Sequence, residues 1–169
     1  MKKFAMVLLS SAFLAAPAVA ADMYVGVNVG SAKIDYPGYD TTTSFALLGG
    51  YAFNENLAAE VAYSSFGSKD YATFAGPVTV KSSAVSISGV LSYPFNEQFS
   101  VFGKLGFAST TLDGTGFPSE SKSDLTWGLG GQFNVSQQVG IRLGYDVYKV
   151  GSGVTADEKV TSIGGVFRF

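Results

Sequence analysis

The chain contains no cysteine and no histidine among its 169 residues, and only 14% of the residues are charged. Without histidine the commonest general base is missing, and with it the Ser-His-Asp arrangement of many hydrolases and acyltransferases. Without cysteine there is no disulfide, and the two side chains that most often bind transition metals are both absent. We therefore expect no enzyme, no metal site and no cofactor.

Two catalytic arrangements do not need histidine, and neither has support in the sequence. A Ser–Lys pair built on Lys104 lacks a spacing signature, and a carboxylate pair at Asp157-Glu158 looks like an exposed loop end. The aspartates of the polar segments also lack the spacing of a calcium-binding loop. These aspartates are Asp35, Asp40, Asp70 and Asp113.

Long hydrophobic runs are scarce, with one exception at the N-terminus. After Met1-Lys2-Lys3 the chain is apolar from Phe4 to about Ala16, and it then reaches Ala18-Val19-Ala20. A membrane-spanning or buried helix is the alternative, but the run is shorter than the roughly 20 residues that a span needs, and Ala18 and Ala20 form a small-x-small cleavage pattern. We predict a secretory signal peptide over residues 1–20, cleaved after Ala20, and one mature domain over residues 21–169.

The mature sequence also lacks a strong charge and any helical span. Without Lys2 and Lys3 it carries nine basic and thirteen acidic side chains, and no basic patch remains. Nucleic acid is therefore not an expected partner. No segment after residue 20 is continuously apolar over about 18 residues, which excludes a transmembrane helix.

What the mature sequence does contain is alternation. From residue 45 to residue 53 each odd position is apolar, aromatic or glycine: Phe45, Leu47, Gly49, Tyr51 and Phe53. The same phase returns at 85–95 and 125–133, while the even positions hold mostly small and polar residues. No odd position assigned to membrane depth is charged, and an Arg or Lys facing lipid there would cost about 2–4 kcal/mol. The pattern predicts strands with one lipid-facing side.

A short motif recurs at intervals of about forty residues. Tyr51-Ala52-Phe53-Asn54-Glu55 returns as Tyr93-Pro94-Phe95-Asn96-Glu97, and more loosely at Gln132-Phe133-Asn134. Each copy has the composition of a strand end and a tight turn, and longer polar segments separate the copies at about 35–43, 67–81, 109–123 and 151–158. The sequence predicts an all-β, eight-stranded antiparallel up-and-down transmembrane barrel, with strands at roughly 23–34, 44–53, 57–66, 82–95, 99–108, 124–133, 139–150 and 159–169.

Side-chain bulk decides which face of such a barrel meets lipid. A soluble ligand-binding barrel would turn the apolar odd face inward, but eight strands leave little interior room for so many Phe, Leu and Tyr side chains. Aromatic residues of the odd face also collect at both strand ends, as girdles at two membrane interfaces do. We predict short turns in the periplasm and long loops outside the cell, with the soluble barrel kept as an alternative.

Five charged residues interrupt the small face at depths predicted to lie inside the barrel: Glu60, Lys104, Arg142, Asp146 and Arg168. Charges in a poorly hydrated lumen persist only when they are paired. We expect Arg142 to pair with Glu60, and Lys104 or Arg168 to pair with Asp146 or Glu60. The set is either a plug that rigidifies the barrel or a gate that opens when the pairs exchange.

Taken with the predicted signal peptide and strands, the C-terminal sequence Gly164-Gly165-Val166-Phe167-Arg168-Phe169 gives the chain a resemblance to the OmpA/OmpX-type family of small outer-membrane barrels. The resemblance covers the whole mature chain. It implies that Ile163, Phe167 and Phe169 form the signal read by the outer-membrane assembly machinery. It also implies a porin-like protein of the Gram-negative outer membrane that contacts lipid and lipopolysaccharide. OmpA continues into a periplasmic peptidoglycan-binding domain, whereas this sequence ends at Phe169, so we expect a barrel domain only.

The function expected from the sequence lies at the cell surface. We predict a monomer with a structural or surface-interaction role through four extracellular loops, which could bind an unidentified surface ligand. A narrow gated pore for ions or small solutes is the alternative. The loop aromatics that could contact a partner, or pack against loops and lipid, are Tyr36, Tyr39, Tyr71, Phe74 and Phe117.

Overall fold

The computed structural model describes residues 23–34, 41–73, 76–114, 120–150 and 156–169. The predicted signal peptide, with Ala18 and Ala20, lies outside the described residues. So do the loop aromatics Tyr36, Tyr39, Phe74 and Phe117.

Eight antiparallel strands close into a barrel, and the first strand pairs with the last. Each strand otherwise pairs with its neighbours in sequence, which confirms the predicted up-and-down topology. None of the described residues forms a helix long and apolar enough to cross a membrane. The strands are β1 (Met23–Ile34), β2 (Thr42–Ala52), β3 (Leu57–Thr73), β4 (Gly76–Pro94), β5 (Phe99–Gly114), β6 (Glu120–Asn134), β7 (Val139–Val150) and β8 (Ala156–Arg168).

Burial follows the predicted alternation. On β4, Ile87 is 61% exposed, whereas the even-numbered Val90 is 1% exposed. Large apolar side chains at odd positions point outward around the barrel, and the even positions face the lumen. The soluble alternative is therefore wrong, because the apolar face lies outside. Val147 is an exception to the predicted exposure: it is buried, since its cross-strand partners on the outer face are the bulky Trp127 and Lys159.

The short turns are built by side-chain acceptors. Asn54 Oδ1 accepts hydrogen bonds from the backbone N–H of Asn56 and Leu57, at 2.9 and 2.8 Å. Asn96 repeats this geometry in the second turn. In the third turn the acceptor is Ser136 Oγ, not Asn134, so the structural repeat lies two residues later than the sequence motif suggested.

Several strands extend further on the long-loop side than predicted. The segment 67–81 was expected to be a loop, but β3 and β4 remain paired as far as Thr73 and Gly76. Likewise β5 continues to Gly114 and β6 begins at Glu120. Charged and polar residues mark where the membrane ends, not where backbone pairing ends, so composition misplaced these boundaries.

A β-bulge interrupts β3 between Ser65 and Ser68, where two residues oppose one on β4. Gly67 adopts a positive φ of 83°, a backbone conformation that residues with a Cβ rarely adopt. The Thr42 hydroxyl donates a 2.6 Å hydrogen bond to the carbonyl of Phe66. The bulge thus holds Phe66 inside the lumen at its long-loop end, and Ser68, the next residue paired with β4, is exposed.

Candidate functional site: the barrel lumen

The half of the lumen near the short turns, predicted to be periplasmic, is organised around Arg142 on β7. Its Nη1 lies 2.7 Å from Glu60 Oε2 on β3, and both side chains are buried. Its Nε and Nη2 donate to Gln132 Oε1 at 3.3 and 3.2 Å. The Tyr24 hydroxyl donates to the same Glu60 oxygen at 3.1 Å. The buried guanidinium and carboxylate are therefore both paired and hydrogen-bonded, as burial of charge requires.

Two aromatic rings flank the Arg142 guanidinium. Its central carbon lies 4.7 Å from the centroid of Phe102 and 5.5 Å from that of Tyr24. A guanidinium close to an aromatic ring is attracted by the ring quadrupole, most strongly where water is excluded. These rings therefore hold Arg142 in place and close the lumen around it.

Lys104 on β5 joins this cluster to β7. Its Nζ lies 2.8 Å from Asp146 Oδ1 and 3.7 Å from Glu60 Oε1. Glu60 thus lies between the two cations, and Asp146 pairs with one of them. Two carboxylates and two cations make the cluster formally neutral.

Arg168, the fifth predicted residue, lies apart from the other four. It is exposed near the end of β8, opposite Tyr24 in register, and no ion pair joins it to another described residue. The prediction placed it in the network because it has the lumen-facing parity. Its side chain lies too close to the periplasmic rim to be covered.

Glycines on neighbouring strands make room for the large lumen side chains. A Cβ added at Gly50 would overlap the ring of Tyr24, and one added at Gly164 would overlap Asn28 Oδ1. At Gly130 an added Cβ would lie 2.5 Å from the ring of Phe102. The small even-numbered face seen in the sequence is thus the space into which its few large residues fold.

The extracellular half of the lumen contains an apolar cluster that sequence reasoning missed. Phe66 and Tyr148 lie 5.1 Å apart, centroid to centroid, within a buried group that includes Ala32, Ala84 and Val160. The available signal was their even parity, since large residues at lumen-facing positions must fill the interior. This cluster forms a second closure above the charged layer.

Glu158 corrects another expectation. Its position was read as an exposed loop end, but it lies on β8, faces the lumen and is 2% exposed. The Ser82 hydroxyl on β4 donates to its Oε2 at 3.2 Å. The loop boundary was placed too late in the sequence, and a strand residue was therefore taken as solvent-exposed.

Two small cavities adjoin the Lys104–Asp146 pair. The larger, about 20 Å³, is lined by Asn28, Glu60 and Phe66 among others, and the smaller is about 10 Å³. A cavity of roughly 10–15 Å³ holds one water molecule. Asn28 Oδ1 lines the larger cavity and has no hydrogen-bond partner among the described protein atoms. The lumen can hold isolated waters, but these spaces are too small for a continuous water column.

A closed antiparallel barrel with an uncharged apolar outer belt and a paired, polar lumen defines a transmembrane β-barrel. The model of the family "Outer membrane protein beta-barrel domain" matches residues 4–169. The chain belongs to this family. This confirms the resemblance inferred from the sequence and the location in the bacterial outer membrane, with extracellular loops.

Solved outer-membrane barrels have the same fold at low sequence identity. Neisserial surface protein A is 17% identical, with a TM-score of 0.67 over 87% of this chain and 97% of that chain. Ail of Yersinia pestis is 20% identical, with a TM-score of 0.64 over 88% and 99%. OprG of Pseudomonas aeruginosa is 18% identical, with a TM-score of 0.61 over 89% and 97%. A search of curated protein sequences finds no relative.

Proposed function

We propose that this protein is a surface-interaction barrel whose β3–β4 hairpin contacts a partner outside the cell. The observation that carries the proposal is an open strand edge. The β2–β3 pairing ends at Phe45 and Ser65, whereas β3 continues to Thr73. Among the described residues, no strand pairs with Ser68–Thr73 on the side away from β4. An open edge offers backbone groups to an incoming extended segment.

The two edges of this hairpin are not equivalent. The β4–β5 pairing ends at Val80 and Gly114, which leaves 76–79 of β4 open on the other side within the described chain. Pro77 lies in that stretch and has no N–H to donate, so this edge is poorly suited to pairing. The segment Ser68–Thr73 contains no proline. The β3 edge is therefore the proposed contact.

The filled lumen supports a surface role over transport. Arg142 and Glu60 close the periplasmic half, and Phe66 with Tyr148 closes the extracellular half. With two closures in series, the interior supports the barrel, and the β3–β4 hairpin remains to carry the activity.

The test shortens the hairpin without disturbing the barrel. Ser68 and Lys81 are paired in register, so an Asn-Gly turn can replace residues 69–80 directly. The matched control replaces residues 112–120 between the paired Thr111 and Ser121 in the same way. Cells displaying each form are compared for attachment to immobilised matrix glycoproteins and heparin. Heparin is included because Ail was crystallised with the heparin analogue sucrose octasulfate.

Attachment should fall to the level of cells without the barrel when the β3–β4 hairpin is shortened, and should persist in the control. Equal attachment by cells with and without the intact barrel would contradict the surface role. If attachment persists when this hairpin alone is shortened, the contact site lies elsewhere on the surface.

A narrow pore is the second candidate, and the cavities beside Lys104 are the observation that favours it. Exchange of Glu60 between Arg142 and Lys104 would rearrange the charged layer. We expect no conductance steps in planar bilayers from the folded wild type, Glu60→Ala or Arg142→Ala. Discrete steps that change in the variants would instead support a gated pore.

The remaining sequence predictions belong to the same proposal. The barrel is a monomer in contact with outer-membrane lipid, and Ile163, Phe167 and Phe169 are read by the assembly machinery. Supporting this, all three side chains are exposed on β8 or at its end, and Phe167 and Phe169 pack edge to face at 5.4 Å. Deletion of Phe169 should slow assembly into the outer membrane.

A further inference from the structure

We propose that Glu158 and Ser82 form an acid-strengthened latch, which holds the long-loop end of the lumen closed and loosens when Glu158 loses its proton. Glu158 lies on β8 and Ser82 on β4, and the Ser82 hydroxyl donates to Glu158 Oε2 at 3.2 Å. These strands are four apart in the closed ring of eight. The hydrogen bond therefore joins opposite walls of the barrel, as Arg142 and Glu60 do near the short turns.

The latch lies on the long-loop side of the apolar belt. On the outer face of β8 the last apolar residue is Ile163, and Thr161 and Lys159 follow it toward the long loop. Glu158 is five residues beyond Ile163, which is about 17 Å further along the strand. Its carboxyl group is therefore outside the membrane-spanning part of β8.

Glu158 is buried without a positive charge to balance it. Its side chain is 2% exposed, and no ion pair between described residues includes it. Its direct cross-strand neighbours are Ile34 on β1 and Tyr148 on β7. A buried carboxylate without a cation is costly, whereas a hydrogen-bonded carboxylic acid in the same place is tolerated. The surroundings thus favour the protonated form.

The other lumen-facing groups at this end do not change that balance. Tyr148 carries an uncharged phenol, whose hydroxyl lies 3.5 Å from Ser64 Oγ. Lys122 and Asp124 on β6 pair with each other at 3.4 Å, and deeper on β7 Asp146 pairs with Lys104 at 2.8 Å. The strands β2, β3 and β5 contribute the uncharged Ser44, Phe66 and Thr110.

The charged residues next to the latch in sequence belong to the outer face. Successive side chains of a strand point to opposite faces, and Glu158, Ser82 and Ala32 face the lumen. Their neighbours with the opposite parity are Lys33, Lys81, Asp157 and Lys159.

The direction of the pH dependence follows from burial. Burial raises the pKa of Glu158 from 4.5 to about 7, against the smaller and opposite effect of the Ser82 hydrogen bond. The closed state therefore binds the proton more tightly than an open state in which the carboxyl reaches water. Closure is strongest below about pH 4.5 and weakens as the pH rises to about 7. The opening equilibrium shifts by up to tenfold per pH unit, or about 300-fold over this range.

Ionisation acts on the apolar closure beside the latch. Phe66, Tyr148 and Val160 form one buried cluster, and Glu158 lies directly opposite Tyr148 and two residues from Val160. A carboxylate is stabilised by reaching water, which separates it from Ser82 and uncovers this cluster. The charged layer near the short turns contains two carboxylates and two cations, so it has no comparable unbalanced group.

The first test measures the protonation of Glu158 itself. The full barrel, refolded in detergent with carbon-13 in its glutamate carboxyl groups, is titrated by NMR. The resonance that is missing from Glu158→Gln belongs to Glu158, and its midpoint should lie within about one unit of 7. A midpoint at the ordinary value of 4.5 would overturn the proposal.

The second test measures opening by hydrogen exchange of the backbone amides of Ala156–Glu158. Gln resembles the protonated acid and cannot ionise, so exchange in the wild type is divided by exchange in Glu158→Gln at the same pH. This ratio should rise by up to about 300-fold between pH 4.5 and 7 and then stay level. Glu97→Gln, in an exposed turn, should exchange as the wild type does. A ratio independent of pH would overturn the latch. An equal rise at Ile141–Leu143 would also overturn it, because the whole barrel would then respond.

The partner residue separates a proton-linked role from simple packing. Ser82→Ala removes the donor to the ionised carboxylate, so the Glu158 midpoint should rise by about one pH unit. Ser86→Ala, at another buried lumen position of β4, is the matched control and should leave the midpoint unchanged. Equal midpoints in Ser82→Ala and the wild type would show that Ser82 only fills space.

Discussion

Arg142 and Glu60 join opposite walls of the barrel, with 2.7 Å between Nη1 and Oε2. They belong to β7 and β3, which are four strands apart in a closed ring of eight. A direct contact between such strands spans the full width of the lumen. The pair therefore fixes the cross-section of the periplasmic half, and its removal should affect stability more than an ion pair at the surface would.

We predict that Glu60→Ala lowers the free energy of unfolding by about 3–5 kcal/mol, because Arg142 would remain buried without its carboxylate. Glu60→Leu/Arg142→Met should cost less than the single substitution, since no unpaired charge remains. Urea unfolding in lipid vesicles measures both. Glu97→Ala, in an exposed turn, is the control and should change stability by less than about 0.5 kcal/mol. A double variant with a lower free energy of unfolding than Glu60→Ala would contradict this account.

Gly50 provides a second test of the lumen packing. A Cβ there would overlap the Tyr24 ring and push its hydroxyl away from Glu60, so we expect Gly50→Ala to cost about 1–3 kcal/mol. Gly49 is the next residue on the same strand, and a Cβ there has no atom within 4 Å. Gly49→Ala should therefore be neutral within about 0.5 kcal/mol. If both variants lose the same free energy of unfolding, strand propensity and not the Tyr24 contact determines the cost.

Alternation was sufficient to predict the strand number, the topology and the outward face, because residues such as Leu105 and Leu129 must alternate with lumen-facing ones on every strand. It could not predict how far the strands continue beyond the membrane. Backbone pairing of Tyr71 with Val78 extends the β3–β4 hairpin through a stretch whose polar residues resemble a loop. The bulge at Gly67 was also unpredictable from parity alone.

The candidate site was predicted in part, because the requirement to pair buried charges needs no coordinates. It led to Arg142 with Glu60, and it left open whether Lys104 or Arg168 pairs with Asp146 or Glu60. In the structure Lys104 contacts both carboxylates. The aromatic contacts around Arg142 depend on which strands face each other, and a list of even positions does not contain that information. Arg168 is at an even-numbered position, as the lumen-facing residues are, but it is exposed at the end of β8 and does not join the network.

The bulge glycine gives a third prediction. Gly67 has φ of 83°, and an added Cβ would lie 2.9 Å from the carbonyl oxygen of Thr43. Gly67→Ala should therefore cost about 1–3 kcal/mol through backbone strain. Ser65→Ala, on the same strand and outside the positive-φ region, should cost less than about 0.5 kcal/mol. Thermal unfolding in detergent compares the two, and an unchanged midpoint for Gly67→Ala would mean that the bulge can rearrange.

The membrane position of the belt can be tested on β5 with one substitution at two heights. Leu105 is 59% exposed in the middle of the apolar face, and Ser109 is an exposed outward residue four positions closer to the extracellular side. Leu105→Arg should cost about 2–4 kcal/mol, and Ser109→Arg about 0–1 kcal/mol, because an arginine is least tolerated at the bilayer midplane. Folding titrations in lipid vesicles measure the difference. Equal costs in vesicles would place both residues at the same depth. As a control, the difference between the two variants should shrink in urea-free detergent micelles, because the arginine can reach water there at either height.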